Sequence, residues 1–303
     1  MRHLSFTFHS PVMPIELSEF SEAGVQVDIK RDDLIHPFIS GNKWRKLQYT
    51  LLDAREHGKD HLVTFGGAWS NHLLAVACAG ATFGFRTTAF VRGEPVSNPV
   101  LSLCRVFGME LRFISRSAYR DKPALYEQFA GSSDSTYFID EGGYSPFAVR
   151  GCAALIDELD RTYDHVFCAC GTGATLAGLA KGIANRAWHT RLHGVPVLKD
   201  GHFLKEAVER LIPGVPLDNL HLHTEYHFGG YAKHTPELLR FVARFSSLTG
   251  ILIEPVYTGK ACYALADLAT QAYFKRGERV LVVHTGGLTG ILGKYAELDA
   301  AIG

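Results

Sequence analysis

The sequence lacks any uninterrupted apolar run of about 18 residues, which argues against a membrane-spanning helix. It lacks a charge excess of either sign: Lys+Arg and Asp+Glu are both 31. There is therefore no global basic field to attract nucleic acid or an anionic membrane. Cysteine is sparse. Cys78, Cys104, Cys152, Cys168, Cys170 and Cys262 form no CxxC pair and sit mostly in apolar patterns. They read as reduced, buried thiols, and the expected compartment is the cytoplasm. The first residues, MRHLSFTFHSPVMPIEL, contain no long apolar core and no small-residue cleavage site, so a secretory leader is not expected. Internal repeats, low-complexity runs and obvious linkers are also missing.

What remains is an ordinary globular composition, 47% hydrophobic and 20% charged over 303 residues, enough for one large or two modest domains. Apolar strand, glycine-containing turn and amphipathic helix alternate along the chain, which predicts an α/β fold with parallel sheets flanked by helices. Strands are expected at Val25–Lys30, His61–Phe65, 87–91, Glu110–Ile114, 136–140, His165–Cys170, 192–197, 221–226, 250–255 and 279–284. Helices are expected at Lys43–His57, Ser70–Gly84, Val96–Phe107, Lys122–Phe129, Pro146–Tyr163 and from Leu176. Residues 50–148 form a smaller inserted α/β domain in this reading. Residues 1–49 and 149–303 form the larger one.

Several stretches carry candidate chemistry. Ser40-Gly41-Asn42-Lys43 opens a helix after Gly41-Asn42, giving Lys43 a rigid mount. Phe65-Gly66-Gly67-Ala68-Trp69-Ser70-Asn71-His72 ends a strand and begins the next helix. The run Gly171-Thr172-Gly173-Ala174-Thr175 follows a buried strand, so its backbone N–H groups and helix N-terminus suit an anion. Its third glycine position is Leu176, no acidic residue stands about 20 positions on, and no Walker lysine follows. A single phosphate is favoured over a dinucleotide or a nucleoside triphosphate. Tyr231 and Tyr257 both lie beside glycines at expected strand ends, and Thr285 lies in the terminal His-Thr-Gly-Gly turn. Together these suggest that Lys43 carries pyridoxal phosphate as a Schiff base. Asn71 would bond the phenolic oxygen of the cofactor, and Ser70 would move a proton or act as nucleophile. Each stretch also fits plain structure: a solvated helix lysine, a serine N-cap, a strand–helix turn, packing tyrosines. His221, His223 and Glu225 share a strand face but form no convincing metal set, so no metal is expected.

The order of the stretches is more specific than any one of them. SGNKWRKL, FGGAWSNH, CGTGATLAG, GGYAKH, EPVYTGK and HTGG, with IKRDD before them, together resemble the fold-type II pyridoxal-phosphate enzymes. More narrowly, they resemble the group of 1-aminocyclopropane-1-carboxylate (ACC) deaminase and D-cysteine desulfhydrase. The resemblance runs from about Val25 to Gly290. It implies a two-domain, tryptophan-synthase-β-like fold and a homodimer. It also implies Lys43 as Schiff-base lysine, Ser70 in proton transfer, Asn71 at the phenolic oxygen, Gly171 to Thr175 at the phosphate, and Tyr231 and Tyr257 as active-site tyrosines. Thr258 falls where ACC deaminase carries a glutamate near the pyridine nitrogen and D-cysteine desulfhydrase a threonine, and Thr285 matches another threonine there. Neutral hydroxyls deepen the electron sink less than a carboxylate would, which favours α,β-elimination over ring opening. Trp44, Trp69 and the apolar Leu73-Leu74 depart from the group's pattern beside the key lysine and serine.

The expected function is a lyase or deaminase acting on a small amino acid, with keto acid and ammonia as products. The alternatives are ACC deamination, racemisation or hydroxy-amino-acid deamination, and cofactor binding without catalysis. A dinucleotide oxidoreductase is disfavoured by Leu176.

Overall fold

Parallel strands dominate two separate sheets, and the segments leading to Lys43, Ser70, Gly171 and Thr285 each leave one of them at a carboxyl end. The computed structural model describes Leu4, residues 6–131 and residues 133–302. Within them the strands are β1 Val12–Ile15, β2 Gln26–Lys30, β3 His61–Gly67, β4 Arg86–Arg92 and β5 Glu110–Ile114. There follow β6 Thr136–Ile139, β7 His165–Cys170, β8 Arg191–Pro196, β9 Leu220–Leu222 and β10 Arg279–Val283. One sheet has the order β5-β4-β3-β6 and the other β1-β2-β10-β7-β8-β9. Only β1, antiparallel to β2, breaks the parallel pairing among the described residues.

The parallel strands read as nearly unbroken apolar runs because helices cover both their faces. β7 is the extreme case, buried at all six residues. One core cluster packs Phe167, Val280 and Val282 against Phe245 and Leu265. Another packs the opposite face through Val166, Leu281 and Val283 with Leu176 and Leu179. The four-stranded sheet has its own cores, around Leu62, Leu73 and Ala89 on one side and Phe65 and Phe90 on the other.

Local signals set the ends of most helices. The helix Asn71–Phe83 starts at Ser70, whose hydroxyl accepts from Leu73 N–H, and stops at Gly84 with φ 82°. The helix expected from Val96 begins at Pro99, because Asn98 supplies the cap and proline suits the first helical position. The long helix expected over Pro146–Tyr163 ends at Asp157. Glu158 turns back there to accept from Arg45 and Lys30, and Tyr163 is buried with its hydroxyl donating to Asp28. The helix expected from Leu176 opens two residues earlier, at Ala174.

Two expected strands differ. The stretch 250–255 joins no ladder, since β10 is already flanked by β2 and β7. It runs instead as a bracing segment, with His284 Nε2 bonded to Leu252 O at 2.8 Å and Ile251 and Ile253 in the core. Of 221–226, the first two residues lie in β9, and Thr224–His227 turn into a 3-10 helix.

We read the two sheets as two domains, with 50–148 the smaller. Both expected boundaries fall inside continuous helices, Asn42–Glu56 and Pro146–Asp157. These helices are packed together: a Cβ on Gly151 would lie 1.7 Å from the Arg45 carbonyl oxygen. The units are joined by packed helix rather than by a linker.

Candidate active site

A cavity of about 720 Å³ opens between the sheets at their carboxyl ends, the position where open parallel sheets hold ligands. Lys43, Ser70, Asn71, Tyr231, Tyr257 and Thr285 all line it. So do Gly171, Thr172, Gly173 and Thr175 of the glycine turn. Two expected residues stand back from the wall. Ala174 is buried, and Thr258 is fully buried at the start of its helix.

The Lys43 helix is fixed at both ends of its first turn. Gly41, with φ 61°, lets the chain pass so close that a Cβ would lie 1.9 Å from Thr285 O. Asn42 N–H donates to that carbonyl at 3.2 Å. Arg45, one turn on, donates to both carboxylate oxygens of Asp32 (2.6 and 2.7 Å) and to both of Glu158 (2.8 and 2.9 Å). Arg45 and Asp32 are buried, so these charge-assisted pairs lock the helix to the loop after β2. Lys43 Nζ donates to Asn42 Oδ1 at 2.8 Å, while Asn42 Nδ2 donates to Thr175 Oγ1 at 2.9 Å. Enclosure, and then the neighbouring Lys46 ammonium, lower the Lys43 pKa to about 7. A large neutral fraction is therefore present at neutral pH, as a nucleophilic amine requires.

The opposite wall comes from the loop after β3. Ser70 Oγ accepts from Leu73 N–H at 3.4 Å, a capping role that leaves its own proton to donate. Asn71 Oδ1 accepts from Thr289 Oγ1 at 3.1 Å, and its Nδ2 lies against Gly287, where a Cβ would approach to 2.4 Å. The neighbouring His72 is a structural residue. It is buried, its Nε2 meets Thr64 Oγ1 at 2.8 Å, and burial pushes its pKa well below the usual value.

The glycine turn gives the floor. The helix Ala174–Asn185 has no side-chain cap, and Gly173 precedes it with φ 92°. Helix geometry leaves its first N–H groups without intrahelical acceptors. Thr172 Oγ1 is buried with no hydrogen-bond partner among the described residues. A polar hydroxyl and an uncapped, partly positive helix end thus converge where an anion would sit. Thr258 Oγ1 is likewise unpartnered.

Tyr231 and Tyr257 meet edge to face with centroids 6.0 Å apart. Burial holds the Tyr257 phenol well above its ordinary pKa, so it stays protonated and can donate. The two tryptophans part company. Trp69 is 40% exposed and lines the cavity. Trp44 is buried among Phe6 and Phe83, with centroids at 4.2 and 5.7 Å. One residue beyond Lys43 on a helix faces about 100° away, so Trp44 packs in the smaller core rather than beside the lysine's amine.

Reading the sequence did not single out Asn42, Thr289, Glu254, Lys260 or the Arg45 pairs. Asn42 could have been found beside Lys43. Glu254 bonds within its own turn, and Thr289, Lys260 and Arg45 act through contacts distant in sequence.

Comparisons with known proteins point to one family. A family model described as "Pyridoxal-phosphate dependent enzyme" matches residues 8–286. A Pyrococcus abyssi protein provisionally named a 1-aminocyclopropane-1-carboxylate deaminase is 35% identical over 291 residues, covering 89% of this chain and 87% of its own. The D-cysteine desulfhydrase of Yersinia enterocolitica is 29% identical over 311 residues, 94% of each chain. A crystal structure of an ACC deaminase homologue superposes with a TM-score of 0.87 at 30% identity, covering 97% of this chain and 94% of that one.

Proposed function

The chain belongs to the pyridoxal-phosphate-dependent enzymes, and on that premise we propose that it is a lyase or deaminase of a small amino acid, working by α,β-elimination to a keto acid and ammonia. One observation carries the reading: an amine lowered to about pKa 7 and an uncapped glycine turn share one cavity. The unpartnered Thr172 hydroxyl beside the uncapped helix end fits the cofactor's phosphate.

Lys43 would hold the cofactor's aldehyde carbon, and Gly171 to Thr175 its phosphate. Asn71 Nδ2 would donate to its phenolic oxygen. Thr258 and Thr285 would lie toward its pyridine nitrogen. When bound, pyridoxal phosphate supplies an electron sink for charge developing at the substrate Cα.

The residues then divide the remaining work. Freed by the incoming substrate amine, Lys43 Nζ would accept the Cα proton, with Ser70 Oγ as the alternative carrier. The Tyr257 hydroxyl, held protonated, donates to the departing group at the β-carbon. Tyr231 contacts the substrate from across the cavity. Trp69, partly exposed, forms part of the cavity wall.

The Glu254 carboxylate lines the cavity but is taken up by three backbone N–H groups, so it is not free to serve as a further acid there. This supports elimination over ring opening. ACC deamination is the second reading, supported by the names of several relatives. A homodimer in the cytoplasm belongs to the same proposal. The dimer rests on the resemblance, and the compartment on six free, buried thiols.

The test is product analysis of the cofactor-loaded protein with D-cysteine, D- and L-serine and ACC. Pyruvate, sulfide and ammonia from D-cysteine are expected. 2-Oxobutanoate and ammonia from ACC would favour the second reading. A protein that binds the cofactor yet turns over none of a broad amino-acid panel would contradict both.

A further inference from the structure

Tyr231 stands in a segment of unusual backbone. Phe228, Gly229, Gly230 and Ala232 have φ of 50°, 93°, 114° and 55°. The glycines tolerate this region; Phe228 and Ala232 do so at a cost. Strained conformations of this kind persist only where their surroundings over-determine them.

The restraint comes from the other tyrosine's turn. Lys260 is fully buried, and its ammonium donates to His227 O at 2.8 Å and to Gly230 O at 2.9 Å. Both carbonyls also close turns of the segment. His227 O accepts Gly230 N–H at 3.0 Å, and Gly230 O accepts Lys233 N–H at 3.1 Å. The ammonium therefore joins the two carbonyls that bracket the bend leading into Tyr231.

A buried ammonium is among the costliest groups a core can hold. Methionine would fill the space without that cost, but it could not bond either carbonyl. Burial lowers the Lys260 pKa to about 8, and the charge of Glu254, six positions earlier, offsets part of that effect. Glu254 is also buried, and its carboxylate accepts from Val256, Tyr257 and Thr258 N–H at 2.7, 2.8 and 2.8 Å. Its carbonyl accepts from Gly259 N–H at 2.8 Å. The turn carrying Tyr257 is thus built around Glu254.

We propose that Lys260 and Glu254 are positioning residues for the tyrosine pair, Lys260 by holding the strained segment before Tyr231 and Glu254 by holding the turn of Tyr257. Neither need touch the substrate. Glu254 and Lys260 flank the turn of Tyr257 on either side, which couples the two mounts, so the rings keep their edge-to-face register across the cavity. This inference rests on the reading that the tyrosines meet the substrate.

The experiment is amide hydrogen exchange, read by mass spectrometry, on the wild type, Lys260→Met and Glu254→Gln, with and without added pyridoxal phosphate. Lys260→Met is expected to speed exchange across 227–233 by at least about tenfold while the Lys43 helix keeps its protection. Glu254→Gln is expected to act at 256–258. In the loaded enzyme, the turnover lost in Lys260→Met should largely vanish in a Tyr231→Phe background, because both changes remove one function. Lys260→Gln, which keeps an NH₂ donor, should restore part of it, and it carries the same comparison if Lys260→Met does not fold. Unchanged exchange over 227–233, or losses that simply multiply with Tyr231→Phe, would overturn the proposal. If the wild type bound no cofactor, the enzymatic reading would fail, while exchange in the cofactor-free protein would still decide the positioning claim.

Discussion

Asn42 and Thr175 lie 133 positions apart, yet the Asn42 amide donates to the Thr175 hydroxyl at 2.9 Å. The other end of the same amide accepts from Lys43 Nζ. One side chain therefore sets the distance between the amine and the glycine turn. Thr175→Val removes the acceptor while keeping the shape. Losing one such bond is worth about 1 kcal/mol. Cofactor affinity should fall roughly fivefold to tenfold, measured by equilibrium titration of the cofactor-free protein.

Lys43 should make cofactor uptake depend on pH. Its pKa is lowered to about 7, and only the neutral amine attacks an aldehyde. The rate of uptake should therefore rise with pH and level off above about 7. Stopped-flow absorbance across the range checks this. A rate still climbing toward the ordinary lysine pKa would mean that Lys43 is not lowered.

The contact between the Lys43 helix and the helix Pro146–Asp157 depends on a missing side chain. A Cβ at Gly151 would meet the Arg45 carbonyl oxygen, a backbone atom that cannot swing away. Gly151→Ala should destabilise the fold by about 1–3 kcal/mol or more, the usual cost of overpacking. Urea denaturation would show a lower midpoint with an unchanged slope.

A row of histidines makes the larger sheet acid-sensitive. His165 Nδ1 and His193 Nε2 lie 2.9 Å apart, as do His193 Nδ1 and His223 Nε2, and His165 Nε2 reaches Glu278 at 3.0 Å. Burial lowers the pKa of all three. Below about pH 6.5 the unfolded chain binds protons at these positions that the folded chain does not, so stability falls as pH falls. Above that value they contribute no pH dependence. Thermal midpoints between about pH 5 and about pH 7.5 should decline on the acid side only, by less in a His193→Phe variant that keeps the stack on Phe167.

Much of this arrangement was legible in the sequence because its signals are local. Ser70 and Gly84 bracket their helix through side-chain oxygen and backbone freedom alone. The buried run His165–Cys170 followed by Gly171 marks a parallel strand entering a helix. Where tertiary context decides, the same rules mislead. Residues 250–255 have the apolar pattern of a strand, but no open sheet edge remains for them beside β10. The bonds from Lys260 to His227 and Gly230, and from Arg45 to Asp32 and Glu158, span many residues and leave no periodic trace. Trp44 and Trp69 look alike beside their motifs, but Trp44 faces the core from its helix while Trp69, in the turn after β3, faces the cavity.

The central claim is that Lys43 carries the cofactor. Borohydride reduction of the loaded protein, followed by peptide mapping, tests it directly. The expected result is a pyridoxyl adduct on the Lys43 side chain, absent from Lys43→Ala together with the visible absorbance. An adduct on Lys46 or Lys260, or no adduct in a protein given excess pyridoxal phosphate, would contradict the account.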